Sequence, residues 1–319
     1  MTPLGLGLAA LGRPAYINLG HDSDLGPDRS VGAVERHAHE VLDAAFEAGV
    51  RYLDAARSYG RAEQFLASWL QQRSIAPGEV IVGSKWGYRY VGMWRVDAPV
   101  HEVKDHSVEA LRRQLRESRA LLGEHLALYQ IHSATLDTGV LEDREVLEEL
   151  ASIRAGGIAV GLTTSGPKQA ETIRRAMEVE VGGGSPFGCV QATWNLLEPS
   201  AGPALAEAHE AGWGVTVKEG VANGRLTSRE RDPDILGRRR QLDALASELG
   251  VGVDAVALAA ILQRPWADVV LSGAATADQL RENLRALELV LGPDELTQLE
   301  QTAMDGEEYW RLRSSLGWR

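Results

Sequence analysis

The chain has 319 residues, 44% of them hydrophobic and 24% charged, which predicts a globular protein with an ordinary apolar core. Its 45 acidic and 33 basic side chains give a formal net charge of −12, which argues against nucleic acid or an anionic membrane as a partner. Cys189 is the single cysteine, the N-terminal residues do not resemble a secretion signal, and no stretch approaches 18 uninterrupted apolar residues, so we expect a cytoplasmic protein.

Eight short apolar runs rich in β-branched residues predict strands. In chain order they are Leu4–Ala10, Val50–Asp54, Val80–Lys85, Leu126–His132, Ile158–Thr163, Val190–Trp194, Gly214–Lys218 and Val269–Ser272. Segments with apolar residues at helical spacing separate most of them, at His37–Gly49, Ser107–Leu122, Arg144–Ala155, Gln169–Val179, Ala204–Ala211, Gln241–Leu249 and Ala277–Leu291. This alternation, without a break in composition, predicts an α/β fold in which residues 1–319 form a single domain, a (β/α)8 TIM barrel.

The final segment, Met304–Arg319, lies outside the strand–helix repeat and carries Tyr309, Trp310 and Trp318 among charged residues. Its composition fits a tail packed on the outside of the barrel or a segment that closes over the barrel mouth. In the predicted fold we place this tail near the mouth.

Ionisable residues follow three consecutive predicted strands. The second strand ends at Asp54, with Tyr59 five residues later; the third ends at Lys85 and the fourth at His132. Any one of them alone would be typical of a helix cap or a solvated loop. The C-terminal ends of barrel strands surround one opening, however, so we expect all four side chains to share one site.

Together these four residue types predict the chemistry of carbonyl reduction. A tyrosine hydroxyl can donate a proton, a lysine ammonium beside it is expected to lower its pKa, and a buried aspartate holds that lysine charged. A histidine can orient a carbonyl oxygen by hydrogen bonding. No side chain supplies a hydride, so a nicotinamide cofactor is required.

The series Asp54–Tyr59, Lys85, His132 resembles the catalytic group of the aldo-keto reductases. The segments GLGLAALGRPAYI, DAARSYG, SKWG, GIAVGLTTSG, VQATWNLLEPS and GAATADQLRENLRAL resemble successive strands and loops of that family, over nearly the whole chain. The resemblance implies NAD(P)H-dependent reduction of an aldehyde or ketone to an alcohol, or the reverse, with Tyr59 as the proton donor. A small carbonyl compound is the expected partner, and the sequence predicts no metal and no particular oligomeric state.

The resemblance also implies a cofactor lying along the barrel mouth, with NADP(H) preferred over NAD(H). By position, Thr163, Thr164, Gln191 and Asn195 would face the nicotinamide carboxamide. The segment from Ser272 to Asn283 would hold the adenosine part through Ser272, Gly273, Gln279, Glu282 and Asn283. Each of these residues also fits an ordinary structural role.

Two positions depart from the family pattern. Lys218 lies at or near the position of an aromatic residue that stacks on nicotinamide, and it is expected to contact the cofactor phosphates, to pair with Glu219 or to weaken nicotinamide binding. Gln279 takes the place of an arginine that some members use for the 2′-phosphate. The basic residues that could replace that arginine are Arg225, Arg281 and Arg285.

For the substrate, Trp86 and Trp94 after the lysine strand and Trp310 in the tail suggest an aromatic-lined mouth that suits a flat, apolar carbonyl compound. Two alternatives stay open. Lys218 in place of the aromatic residue would also fit a nucleotide-binding regulatory subunit with little turnover. A barrel lysine, Lys85 or Lys218, could instead form a Schiff base, as in aldolases.

Overall fold

The strands of the computed structural model, which describes residues 2–318, confirm the barrel. In chain order they are β1 Leu4–Gly7, β2 Tyr52–Asp54, β3 Ile81–Trp86, β4 Tyr88–Tyr90, β5 Glu102–Lys104, β6 Leu126–Ala134, β7 Ala159–Thr164, β8 Cys189–Thr193, β9 Gly214–Lys218 and β10 Val269–Ser272. Eight parallel strands close into a barrel in the order β1-β10-β9-β8-β7-β6-β3-β2, and β4 and β5 form an antiparallel hairpin outside it. All eight predicted strands correspond to barrel strands.

Helices connect the strands and cover the barrel. They are α1 His21–Asp24, α2 Val31–Glu47, α3 Ala62–Gln72, α4 Val108–Leu122, α5 Arg144–Ala155, α6 Gln169–Met177, α7 Gly202–Glu210, α8 Pro233–Arg238, α9 Arg240–Leu249, α10 Val253–Leu262, α11 Ala277–Leu284, α12 Pro293–Leu299 and α13 Gly306–Ser314. In α2, for example, the Ser30 hydroxyl accepts a hydrogen bond from the Ala33 amide at 3.3 Å, and Val34, Val41 and Leu42 are buried.

The barrel interior is a packed core. Tyr52, Leu128, Val269 and Leu271 form a separate buried cluster. A Cβ atom at Gly5 would lie 2.9 Å from the Leu271 side chain, so the interior at this level has no room for a larger residue. Functional side chains are therefore confined to the ends of the strands.

Most differences between the predicted elements and the structure lie in the segments that connect the barrel strands. The hairpin β4–β5 and the helices α1, α3, α8, α10, α12 and α13 were not predicted. No single helix within residues 2–318 is long and apolar enough to cross a membrane. The pair α9–α10 would reach that length and composition together, but it bends by 98°.

Candidate active site

The predicted catalytic group is brought together at the C-terminal ends of β2, β3 and β6. The Lys85 ammonium donates hydrogen bonds to Asp54 Oδ2 at 2.5 Å and to the Ala55 carbonyl at 2.9 Å. Lys85 Nζ also lies 4.8 Å from the centre of the Tyr59 ring. All three side chains are buried, so the ion pair and the phenol interact with little screening by solvent.

His132 also lies beside Tyr59. The two ring centres are 5.4 Å apart and the rings are nearly perpendicular, at 82°. The Ser58 hydroxyl is 3.3 Å from His132 Nδ1 and fixes the orientation of the imidazole. Tyr59 and His132 therefore present a phenol and an imidazole to the same cavity.

Burial dominates the protonation of this group. It raises the pKa of Tyr59 well above its ordinary value, and the Asp54 carboxylate raises it further. This is opposite to the lowering that the neighbouring lysine was expected to cause, because the cost of burying a phenolate outweighs the attraction of a lysine already paired with Asp54. Burial, reinforced by Lys85, also lowers the pKa of His132 well below its ordinary value. At neutral pH the site therefore holds a protonated phenol and a neutral imidazole.

The cavity above these residues has a volume of about 310 Å³. Its aromatic lining residues are Tyr16, Tyr59, Tyr88 and Trp318. The buried Arg13 guanidinium lies 4.6 Å from the ring centres of both Tyr16 and Trp318 and donates to Glu102 at 2.9 Å. The tail thus reaches the barrel mouth, as the predicted fold placed it.

A second charged group lies at the end of β9. Lys218 Nζ donates to the Thr193 hydroxyl at 2.7 Å, and the Arg313 side chain from α13 pairs with Glu219, with Nε at 3.0 Å from Oε1. Burial lowers the pKa of Lys218 to about 8 despite the opposing effect of Glu219. Burial acts to raise the pKa of Glu219, but Arg313 and Lys218 lower it to about 2. Glu219 therefore pairs with Arg313, and Lys218 stays at the cavity wall.

A second cavity, of about 340 Å³, adjoins the first. Asn18, Val221 and Gly273 line both of them. A Cβ atom added at Gly273 would meet nothing within 4 Å, so the passage between the cavities is open at this residue. The two cavities form one extended groove that begins at Tyr59.

The structure places most predicted cofactor residues along this groove. Gln191, Lys218, Ser272 and Gly273 line the first cavity, whereas Gln279, Glu282 and Asn283 line the second. Gln191 donates to Asp54 Oδ1 at 2.9 Å, and Asn283 donates to the Ser272 hydroxyl at 2.8 Å.

Three predicted carboxamide contacts do not line the groove. The Thr163 hydroxyl accepts a hydrogen bond from the Ser133 amide at 2.8 Å, and the Thr164 hydroxyl lies 3.5 Å from Gln169 Oε1. The Asn195 amide donates to the Glu219 carbonyl at 3.0 Å and to the Tyr309 hydroxyl at 2.9 Å. These side chains make polar contacts inside the fold and do not line the groove.

The arginines expected to replace a phosphate-binding residue also lie elsewhere. The Arg225 guanidinium is buried 4.2 Å from the centre of the Tyr309 ring. Arg281 pairs with Asp278, and Arg285 donates to the Gly250 carbonyl at 3.0 Å. None of the three lines the second cavity.

The predicted substrate tryptophans do not line the first cavity. Trp86 is fully buried against His106, with 5.6 Å between the ring centres. Trp94 donates to the Arg29 carbonyl at 2.7 Å, and Trp310 packs on Tyr309. The first cavity does have an aromatic wall, formed by Tyr16, Tyr59, Tyr88 and Trp318, whereas these three tryptophans pack within the fold.

Sequence reasoning missed several residues of the cavity wall, namely Arg13, Tyr16, Tyr88, Glu102, Ser165 and Arg313, whereas Trp318 belongs to the tail that it placed near the mouth. Most of them lie on loops, on the β4–β5 hairpin or in the tail, where no periodicity indicates which way a side chain points. The one available signal was position, since Arg13 and Tyr16 follow the first predicted strand and Ser165 follows the fifth.

Comparison with known proteins decides the family. Residues 4–303 match the sequence profile of the Aldo/keto reductase family. The chain belongs to this family. The fold also agrees with the holo form of the aldo-keto reductase AKR11C1 from Bacillus halodurans, with a TM-score of 0.71 and 22% identity over 97% of this chain and 95% of that one.

The relatives of this aldo/keto reductase include named reductases. It is 26% identical to the uncharacterized oxidoreductase YqkF of Bacillus subtilis, over 81% of this chain and 84% of the relative. It is 26% identical to L-glyceraldehyde 3-phosphate reductase of Escherichia coli K12, over 97% and 93%. It is 24% identical to norsolorinic acid reductase A of Aspergillus parasiticus, over 82% and 70%. The protein is therefore an oxidoreductase of a family that acts on carbonyl compounds with nicotinamide cofactors.

Proposed function

We propose that this protein reduces an aldehyde or ketone to an alcohol, or catalyses the reverse reaction, with Tyr59 as the proton donor. The observation that carries the proposal is the buried Lys85–Asp54 pair, joined at 2.5 Å directly beside the Tyr59 ring at the wall of the first cavity. Family membership supports carbonyl chemistry, and this geometry supports the assignment of the proton donor.

The groove fits an extended dinucleotide. Its two joined cavities offer polar side chains at both ends, and Gly273 leaves the passage between them open. Gln191 and Lys218 would hold the nicotinamide end, and Ser272, Gln279 and Asn283 the adenosine end. When bound, the nicotinamide cofactor supplies or accepts the hydride. The family resemblance alone implies a preference for NADP(H).

The chain's own residues manage the proton. Because burial keeps the Tyr59 phenol protonated, its hydroxyl can donate to a carbonyl oxygen in the cavity. As the phenolate forms, the Lys85 ammonium beside the ring stabilises its charge, and Asp54 keeps that ammonium in place. The neutral His132 can donate a second hydrogen bond to the same oxygen without a competing charge.

The lining of the first cavity favours a flat, apolar carbonyl compound, such as an aromatic aldehyde. Tyr16, Tyr88 and Trp318 supply aromatic faces around Tyr59. The Arg13 guanidinium is already engaged by Glu102, so it offers little to a phosphorylated substrate. A substrate series should therefore show higher kcat/KM for aryl aldehydes than for sugars or sugar phosphates; faster reduction of sugars would contradict this assignment.

The replacement Tyr59→Phe tests the proposed mechanism. It removes the hydroxyl and keeps the ring, so kcat should fall about 10²- to 10⁴-fold while the cofactor Kd, read from tryptophan fluorescence, stays within a few fold. Tyr88→Phe is the matched control, because its ring also lies beside that of His132, at 5.0 Å, but the lysine over its ring is Lys104 rather than Lys85. It should lower kcat less than tenfold, and full activity of Tyr59→Phe would end the proposal.

One alternative has an observation in its favour. Burial lowers the pKa of Lys218 to about 8, and an amine with such a pKa at a cavity wall can form an imine with a carbonyl compound. Treatment with borohydride and an aldehyde, followed by mass spectrometry, would detect a reduced adduct on Lys218. If turnover with cofactor proceeds without such an adduct, the reductase assignment stands. For a regulatory subunit with little turnover, the described residues offer no comparable support.

A further inference from the structure

Carboxylates line the wall of the second cavity. Asp24, Asp254, Asp278 and Glu282 all contribute to it, and Arg229 is the one lysine or arginine among its described lining residues. The lining therefore has more acidic than basic side chains at the end of the groove that lies away from Tyr59, and Arg281 and Arg285, which are not among the lining residues, pair with Asp278 and Glu282.

Arg229 is not free to bind an anion. Its Nη1 donates to Asp24 Oδ2 at 2.7 Å and to the Leu19 carbonyl at 2.9 Å, and its Nη2 donates to Asp24 Oδ1. Gln279 adds a further hydrogen bond to Asp24 Oδ1 at 2.8 Å. The two charges of this ion pair therefore compensate each other within the protein.

Asp254 has no ion-pair partner among the described residues, and Glu282 has only a longer contact with Arg285. Glu282 Oε1 accepts the Gly252 amide at 2.6 Å and lies 3.6 Å from Arg285 Nη1, while its Oε2 has no hydrogen bond among the described residues. A Cβ atom at Gly252 would lie 2.4 Å from Asp254 Oδ1 and 2.8 Å from Glu282 Oε1, which places both carboxylates around one point. Burial raises the pKa of Asp254, and the negative charge of Glu282 raises it further.

This arrangement discriminates between the two nicotinamide cofactors, which differ by one phosphate on the adenosine ribose. If the nicotinamide lies beside Tyr59, as the proposed function requires, the adenosine half extends along the groove into the second cavity. A 2′-phosphate carries roughly two negative charges and would place them near Asp254 and Glu282, which repel it. The unphosphorylated ribose diol, by contrast, can donate hydrogen bonds to these carboxylates.

We infer that Asp254 and Glu282 make this protein selective for NAD(H) over NADP(H). The inference rests on the proposed function for the direction in which the cofactor lies. It reverses the preference expected from the family resemblance. The reason is local, since the three arginines expected to bind the phosphate lie outside the second cavity and its own arginine is paired.

Binding measurements test the inference without turnover. The Kd values of NADH and NADPH are read from tryptophan fluorescence, and those of ADP-ribose and its 2′-phosphate from calorimetry. The second pair lacks nicotinamide, so it reports on the adenosine end alone. For the unmodified protein, NADH and ADP-ribose should each bind at least tenfold more tightly than their 2′-phosphorylated counterparts.

The conservative variants Asp254→Asn and Glu282→Gln should shrink this ratio mainly by tightening the 2′-phosphorylated ligands. Asp278→Asn is the matched control, because the Asp278 side chain is 93% exposed and pairs with Arg281. It should change the ratio less than twofold, because solvent screens an exposed charge.

The outcomes separate this inference from the proposed function. If the 2′-phosphorylated ligands bind as tightly as the others, or if the double variant that combines Asp254→Asn with Glu282→Gln keeps the original ratio, the selectivity inference is wrong and the reductase proposal is untouched. If neither ADP-ribose nor its 2′-phosphate binds, the selectivity inference is also overturned. Full activity of Tyr59→Phe would remove the reductase mechanism, and the ADP-ribose pair would still measure the selectivity.

Discussion

Lys218 differs in chemistry from the aromatic residue expected at the end of the seventh barrel strand, but it fits the electrostatics of the site. Its ammonium is held by the Thr193 hydroxyl at 2.7 Å. Together with burial and Lys85, it lowers the pKa of His132, which keeps that imidazole neutral. A protein that had lost turnover would have no need of a protonated phenol, a paired lysine and a neutral imidazole at one wall. The protonation of these individual residues therefore favours an enzyme over a regulatory subunit.

His21 leads to a prediction about stability and pH. Its ring is fully buried, neither nitrogen has a hydrogen-bond partner among the described residues, and burial lowers its pKa from 6.5 to about 4. Below pH 6.5 the unfolded chain takes up a proton that the folded protein accepts only near pH 4, so stability is lost as the pH falls through this window. At pH 5 the loss from this one ring is on the order of 2 kcal/mol.

The variant His21→Phe tests this effect, because it keeps an aromatic ring and removes the titration. Urea unfolding at pH 7.5 and pH 5 should show that it loses less stability on acidification than the unmodified protein. His125→Phe is the control, because His125 is partly exposed and its Nε2 donates a hydrogen bond to the Ile75 carbonyl at 3.0 Å. An equal loss in the unmodified protein and His21→Phe would contradict the assignment.

How far the sequence predicts the site depends on how each residue is held. Asp54, Lys85 and His132 could be predicted because strand ends of a barrel converge whatever the loops do. Thr163 and Asn195 could not be excluded, because a polar residue at a strand end has the same sequence signal whether it faces a ligand or the Ser133 amide. The long-range contacts that decide this are absent from local sequence.

At the scale of elements, the same limit explains the helices that were missed. In α10, seven residues from Ala255 to Ile261 are buried, so no apolar stripe marks one face of the helix. The composition of the tail is ambiguous for the opposite reason, since its aromatic residues fit either the outside of the barrel or its mouth. In the structure α13 is capped by Asp305, which accepts the Glu308 amide at 3.0 Å, and Arg313 near its end pairs with Glu219 beside Lys218.

This pairing makes the attachment of α13 measurable. Replacing Arg313 by methionine leaves the buried Glu219 carboxylate without its partner. We expect a cost of about 3 kcal/mol in the free energy of unfolding, at the low end for buried pairs because Arg313 is a quarter exposed. Denaturant unfolding measures it, and adding Glu219→Gln should recover part of the loss.

The matched control is Arg144→Met, which breaks a pair on the surface of α5. Arg144 is 90% exposed and its partner Glu148 is 53% exposed, so the change should stay within about 0.5 kcal/mol. If both arginine variants lose the same stability, the Arg313–Glu219 pair does not hold the tail more firmly than a surface contact holds its helix.

At the scale of the whole molecule, barrel closure joins the two ends of the chain. Strand β1 pairs with β10 on one side and with β2 on the other, with Leu4 opposite Val270 and Leu6 opposite Leu53. Neither an N-terminal nor a C-terminal half can therefore complete its sheet alone. We propose that residues 1–319 form one domain, although two doubly wound domains would have given a similar strand–helix alternation.

Cooperative unfolding follows from this closure. The variant Leu6→Ala removes a fully buried side chain at the seam of the barrel and should cost about 2–5 kcal/mol. If the barrel unfolds as one unit, tryptophan fluorescence and far-UV circular dichroism should follow a single urea transition, and the variant should move both midpoints equally. Val290→Ala, at a side chain that is 88% exposed, should leave them in place. Two separate transitions, with only one of them moved by Leu6→Ala, would mean that part of the chain folds independently of the seam.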